Sequence, residues 1–167
     1  AYLESLAKAI MDGRKSNDNR VRTDKIKEEK GIIQKVNTFE QIRERHDKLL
    51  DNWMHLRDIN VEFSKYFKKY GCYKIGIYGA GKLGAHLFYE LVKGDIEVVF
   101  GIDKNSENVQ FPIKVYAPDQ QIPKVDAIVI TVIDKYGEIS KMLNEKNDCQ
   151  MIPLEDIIQE LIWEVDF

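Results

Sequence analysis

Six residues, Gly79-Ala80-Gly81-Lys82-Leu83-Gly84, constrain this chain more than any others because of what flanks them. Before them, Lys74-Ile75-Gly76-Ile77-Tyr78 reads as a short apolar strand. After them, Leu83, Leu87, Leu91 and Val92 share one face of a helix that Gly94 closes. A second β-rich run, Ile96 to Ile102, ends at Asp103, 19 residues past the third glycine. Strand, glycine turn, helix, strand and acid follow in the order of a dinucleotide-type βαβ unit. In such a unit the three glycines differ in purpose. Gly79 makes the tight turn, Gly81 lets a pyrophosphate approach the backbone, and Gly84 lets the helix lie close to the strand. The helix N-terminus offers unpaired N–H groups and a partial positive charge to phosphate. Asp103 stands where it can accept hydrogen bonds from ribose hydroxyls, and its charge opposes a 2′-phosphate. That favours NAD over NADP, although Lys104 beside it weakens the preference. The same glycines would also serve close packing in a fold without a ligand, so the motif alone leaves both readings open.

A competing motif overlaps these residues. Gly76-x-x-x-x-Gly81-Lys82 matches the start of a P-loop, but Leu83 stands where a Ser or Thr hydroxyl should hold magnesium, and Gly76 falls inside the expected strand. The nucleoside-triphosphatase reading is set aside on both counts.

Downstream, a proline-containing linker from Asn105 to Pro123 contains Ile113-Lys114-Val115 as a short edge strand. Ala127 to Ile133 is an unbroken apolar, β-branched run, as expected of a parallel strand covered on both faces. A helix near Lys135 to Lys146, a short strand from Cys149 to Ile152, and a helical face formed by Leu154, Ile157, Ile158 and Leu161 complete the alternation. The fold expected is α/β: a Rossmann-like open parallel sheet of about five strands with helices on both faces, spanning 72–167. A helical N-terminal segment, 1–71, precedes it. In that segment Tyr2 to Arg14 is a helix ended by Gly13, and Ser16-Asn17-Asp18-Asn19 is a polar break. Thr38 caps a long amphipathic helix carrying Phe39, Ile42, Leu49, Leu50, Trp53 and Leu56, with His46 on the same stripe. Asn60 caps another, which Gly71 stops in a left-handed conformation.

Composition limits what the motif can mean. At 167 residues, with 44% hydrophobic and 32% charged content, the chain can bury one sizeable core. A two-domain dehydrogenase or epimerase takes on the order of 250 to 350 residues. The glycine turn therefore comes without a substrate half, and an initial Ala in place of Met fits a piece of something longer. Residues 1–71 hold 16 basic and 12 acidic side chains, against 9 and 16 in 72–167. Mixed signs in the first part and an acidic second part argue against a nucleic-acid partner. No apolar run is long enough to insert in a membrane, and no secretory leader is visible, so a cytoplasmic chain is expected. Cys72 and Cys149 are too few and too far apart for a disulfide framework or a metal site, and are expected as reduced core thiols.

No catalytic set can be assembled. Tyr136 is followed by Lys141, not by a lysine three residues on, so the proton-transfer pair of short-chain dehydrogenases is missing; Tyr136 either lines the pocket or is a loop tyrosine. His86, on the first turn after the glycines, has no acid near it in sequence, and His46 and His55 lack metal-ligand spacing.

Taken together, Lys74 to Gly84, Phe100-Gly-Ile-Asp-Lys-Asn105, Pro112-Ile-Lys-Val115 and Asp126-Ala-Ile-Val-Ile-Thr131 resemble the small Rossmann-like domains related to sugar-nucleotide epimerases and dehydratases. Such domains occur in bacterial sugar N-acetyltransferases and as modules appended to glycosyltransferases of surface-polysaccharide pathways. The resemblance covers roughly residues 72–162. It implies a nucleotide or nucleotide-sugar ligand, with NAD, a UDP-sugar or another nucleotide all open; from the Cys and His spacing no metal is expected. The binding residues expected are Gly79, Ala80, Gly81, Lys82, Leu83 and Gly84 of the turn, Asp103 and Lys104 after the second strand, and Thr131 in the third. The chain lacks the hexapeptide repeats of the acetyltransferases and the Tyr-Lys pair of the epimerases, so family catalysis is not carried over. The function expected is a nucleotide-binding module of a larger polysaccharide-related protein. The alternatives are an NAD-dependent sugar-nucleotide enzyme completed by another domain or subunit, and a non-catalytic interaction module. For the last, the stripe from Phe39 to Leu56 and the tail Trp163, Val165 and Phe167 are candidate homo-oligomer contacts.

Overall fold

The computed structural model describes residues 2–166; Phe167 of the apolar tail lies outside them. The elements are α1 (Tyr2–Asp58), α2 (Ser64–Lys69), β1 (Lys74–Tyr78), α3 (Lys82–Val92), β2 (Glu97–Ile102), β3 (Val115–Tyr116), β4 (Ala127–Ile130), α4 (Tyr136–Asn144), β5 (Gln150–Pro153) and α5 (Leu154–Asp166), with a short 3₁₀ turn at Ile133–Lys135. The five strands form one sheet in the order β3-β2-β1-β4-β5, with every pairing parallel. The open, all-parallel five-stranded sheet is the one the sequence leads one to expect, and its order, 3-2-1-4-5, is that of the doubly wound α/β fold.

Alternation along the strands sends side chains to two cores. Ile75, Ile77, Val98, Ala127 and Val129 pack with α3, α5, α2 and the end of α1. Tyr78, Phe100, Ile102, Ile128 and Ile130 pack with Ile139 and Leu143 of α4 on the other face. Gly76 lies inside β1, where an added Cβ would meet the Phe100 ring at 2.5 Å, so it belongs to the sheet and not to a phosphate loop. Cys72 is buried and Cys149 half-buried, both as free thiols.

By contacts the chain divides into two units, up to Arg43 and from Glu44 on. The described part of the first is helical throughout, and all its residues except Gly31 and Ile42 are exposed. In the second, Leu49, Trp53 and Leu56 of α1 are buried in the sheet's core, Trp53 stacking obliquely on Phe63 at 5.2 Å.

Several expected boundaries move. One helix replaces the expected helix, polar break and second helix: neither Gly13 nor Ser16–Asn19 interrupts α1, and Thr38 does not cap it. The reason at Thr38 is visible, since its hydroxyl donates to the Gln34 carbonyl one turn back (2.9 Å), a bond available mid-helix. Asn60 ends α1 instead of starting α2. It adopts φ 57°, with Asn60 N–H on the Arg57 carbonyl (3.0 Å) and Val61 N–H on the Leu56 carbonyl (2.8 Å), the paired bonds of a Schellman end. Gly71 ends α2 in the same way at φ 68°, as expected. The third long strand stops at Ile130, short of Ile133, because its partners β1 and β5 end opposite it at Tyr78 and Pro153. The edge strand is Val115–Tyr116, later than expected.

Candidate nucleotide-binding cleft

The carboxyl ends of β1, β2 and β4 meet at the glycine turn, held there by backbone bonds. Gly79 N–H donates to the Ile102 carbonyl at 2.8 Å, and Thr131 N–H to the Tyr78 carbonyl at 3.0 Å. The Thr131 hydroxyl lies 3.0 Å from the Tyr78 carbonyl and 3.1 Å from that of Gly79, sharing its proton between them. Thr131 is therefore chiefly a brace for the turn, although it also borders the cleft.

Two glycines are required by the turn itself. Gly79 has φ 93°, and a Cβ there would collide with the Thr131 hydroxyl; a Cβ on Gly84 would collide with the Gly79 carbonyl oxygen. Gly81 is different. Its φ of −80° suits any residue, and a Cβ on it meets nothing within 4 Å. As N-cap of α3 it supplies no side-chain acceptor. The first N–H to bond back into the helix is that of Ala85, to the Gly81 carbonyl (3.0 Å). Ahead of it, Lys82, Leu83 and Gly84 are the orphan donors of an uncapped helix start.

Of these, Lys82 and Leu83 border a cleft of about 340 Å³ that is also lined by Gly79, Gly81, Asp103 and Thr131 and by Val132, Ile133 and Asp134. All but three of the expected residues line this cleft: Ala80 is buried in the turn, Gly84 is buried beneath it, and Lys104 is exposed beside Asp103 in a smaller adjoining cavity. Asp103 has two backbone partners. Its Oδ2 accepts the Ala80 N–H at 3.0 Å and its Oδ1 the Asn105 N–H at 2.8 Å. Each oxygen keeps a lone pair for a ligand hydroxyl.

The sequence gives His46 no role, yet it borders the cleft, as does Asp134. Arg45 beside it fixes this part of α1, pairing with Glu155 of α5 (2.6 Å) and reaching the Ile133 carbonyl at 3.4 Å. No spacing rule could have found His46, which lies more than thirty residues before the turn. Tyr136 does not border the cleft; its hydroxyl donates to the Met151 carbonyl at 3.0 Å. His86 is exposed, edge-on to Trp53. A larger hollow, about 400 Å³, lies between Gln121–Val125 and Lys146–Cys149, at the amino ends of β4 and β5. Ligands of open parallel sheets bind at the other end.

Among the described residues no group of three or more His, Cys, Asp and Glu side chains is placed to hold a metal, and no helix is long and apolar enough to cross a membrane. No protein-family model, curated protein or solved structure matches the chain.

Proposed function

We propose that the carboxyl end of this sheet binds a nucleotide, its diphosphate on the N-terminus of α3 and its ribose at Asp103. The observation that carries the reading is Gly81. The turn does not need a glycine there, and a Ser, Thr or Asp would cap the helix better. A residue that leaves α3 uncapped, beside open space at the carboxyl end of a parallel sheet, is what an anionic ligand needs in order to reach the backbone. Asp103 favours an unmodified ribose, hence NAD or a uridine nucleotide over NADP. The narrower choice of a nucleotide-sugar, and a place in a bacterial polysaccharide enzyme, rest on the family resemblance alone.

The test is a thermal-shift titration with NAD, NADP, UDP and UDP-sugars. A ligand at about 100 times its Kd stabilises the fold by about 2.7 kcal/mol, roughly 5–10 °C for a chain of this size. A flat response to all of them would end the proposal.

A second reading concerns the unit up to Arg43. Its helix exposes Ile32, Ile33, Val36 and Phe39 within eight residues and carries both signs of charge. A second copy of the same helix can cover that face and match those charges.

A further inference from the structure

Tyr78, the last residue of β1, carries the one buried side-chain oxygen or nitrogen, among the described residues, that finds no hydrogen-bond partner. The residue is 3% exposed, so the hydroxyl gains little from bulk water. Its ring already packs with Phe100, Ile102, Ile128 and Ile130, and a phenylalanine would fill that space without stranding a polar atom. The core supplies no reason for the hydroxyl.

Its neighbourhood does. Tyr78, Gly79, Asp103, Lys104, Lys135 and Ile139 wall a cavity of about 180 Å³. This cavity shares Gly79, Asp103 and Val132 with the glycine cleft, so the two adjoin around Asp103. Burial first, and the Asp103 carboxylate after it, push the pKa of the phenol up. At neutral pH it keeps its proton and is available as a donor. In a ligand whose diphosphate lies on the α3 side and whose ribose meets Asp103, the group on the far side of that ribose is the base. In the smaller cavity Val132 and Ile139 give a flat ring apolar surface.

We infer that Tyr78 is a specificity-determining residue of the nucleotide site, its hydroxyl donating a hydrogen bond to a ring nitrogen or carbonyl oxygen of the base. This inference rests on the nucleotide-binding reading above. It is tested by calorimetric titration of the full chain and of Tyr78→Phe with NAD, UDP and, as a probe without a base, inorganic pyrophosphate. The expected result is a variant at least as heat-stable as the wild type when free. It should bind the preferred nucleotide about tenfold more weakly, the worth of one hydrogen bond, and pyrophosphate equally well. Equal nucleotide affinity in the two proteins overturns this inference and leaves the parent reading standing. So does a parallel loss of pyrophosphate binding, which would put Tyr78 at the phosphate end. A free variant less stable than the wild type also overturns it, because the hydroxyl would then serve the fold. A wild type that binds neither nucleotide overturns both.

Discussion

The Asp103 carboxylate latches the end of β2 to the glycine turn, its Oδ2 accepting the Ala80 N–H at 3.0 Å while Oδ1 accepts that of Asn105 at 2.8 Å. The acid proposed to meet the ribose thus also helps to hold the glycine turn in shape. The proposed binding role and local stability therefore meet at one side chain.

Asp103→Asn should separate the two roles. An amide has one acceptor oxygen in place of two, so one of the two backbone N–H groups loses its partner. For a half-exposed site the cost is about 1 kcal/mol, or about 2–4 °C in melting temperature by calorimetry. The lost negative charge should at the same time raise the affinity for NADP relative to NAD, read by parallel titrations. An unchanged NADP-to-NAD ratio would remove Asp103 from the ribose site.

Gly84 and Gly81 should respond differently to substitution. Gly84→Ala pushes a methyl group into the Gly79 carbonyl, a rigid backbone atom, and should cost about 1–3 kcal/mol in urea denaturation. Gly81→Asp should do the opposite. Its carboxylate caps α3 and meets no clash, so the free protein gains a few tenths of a kcal/mol. The same carboxylate occupies the phosphate position, and nucleotide binding should fall below detection. A stabilised variant that still binds would show that the ligand does not use this helix start.

The contrast between Gly81 and Thr38 shows what the sequence made legible. Around Gly81, strand periodicity, glycine spacing and a terminal acid are all local signals that agree, and the parallel sheet follows from them. At Thr38 a residue type that favours N-caps sits mid-helix, because its hydroxyl finds the Gln34 carbonyl. Helix starts in a continuous polar helix leave no other mark, so the N-terminal boundaries were not readable. His46 and Tyr78 were invisible for a different reason. The first reaches the cleft only through tertiary packing of α1, and the second matters because of a partner that is missing, which no pattern records.

Asp126 gives the fold a sensitivity to acid. Its Oδ2 accepts the backbone N–H groups of Tyr73 and Lys74, each at 2.8 Å, which joins the start of β1 to the strand next to it. The Lys74 N–H, and then that of Tyr73, hold the carboxyl below its ordinary value of 3.8. A carboxyl lowered in the folded state stabilises above its unfolded pKa, and that contribution disappears as pH falls through the folded value. Urea midpoints of the wild type should therefore drop more steeply below about pH 4 than those of Asp126→Asn, and the two should converge in strong acid. Parallel curves across that range would show that Asp126 does not carry the acid dependence.

The helical unit up to Arg43 sets the last expectation. Gly13 and Gly31 each weaken a helix by about 1 kcal/mol relative to alanine, and a helix with nearly every side chain exposed lacks the tertiary packing that stabilises most helices. Burying Ile32, Val36 and Phe39, which are 56%, 50% and 67% exposed, against a second copy would supply it. Sedimentation should then find a species heavier than the 19.5 kDa chain, with helical circular dichroism that rises with concentration. Ile32→Glu combined with Val36→Glu and Phe39→Glu should return it to a monomer of lower helicity without altering nucleotide affinity, since none of the three lies in the unit that carries the glycine turn. A wild-type chain that sediments as a monomer at every concentration would exclude self-association through this helix.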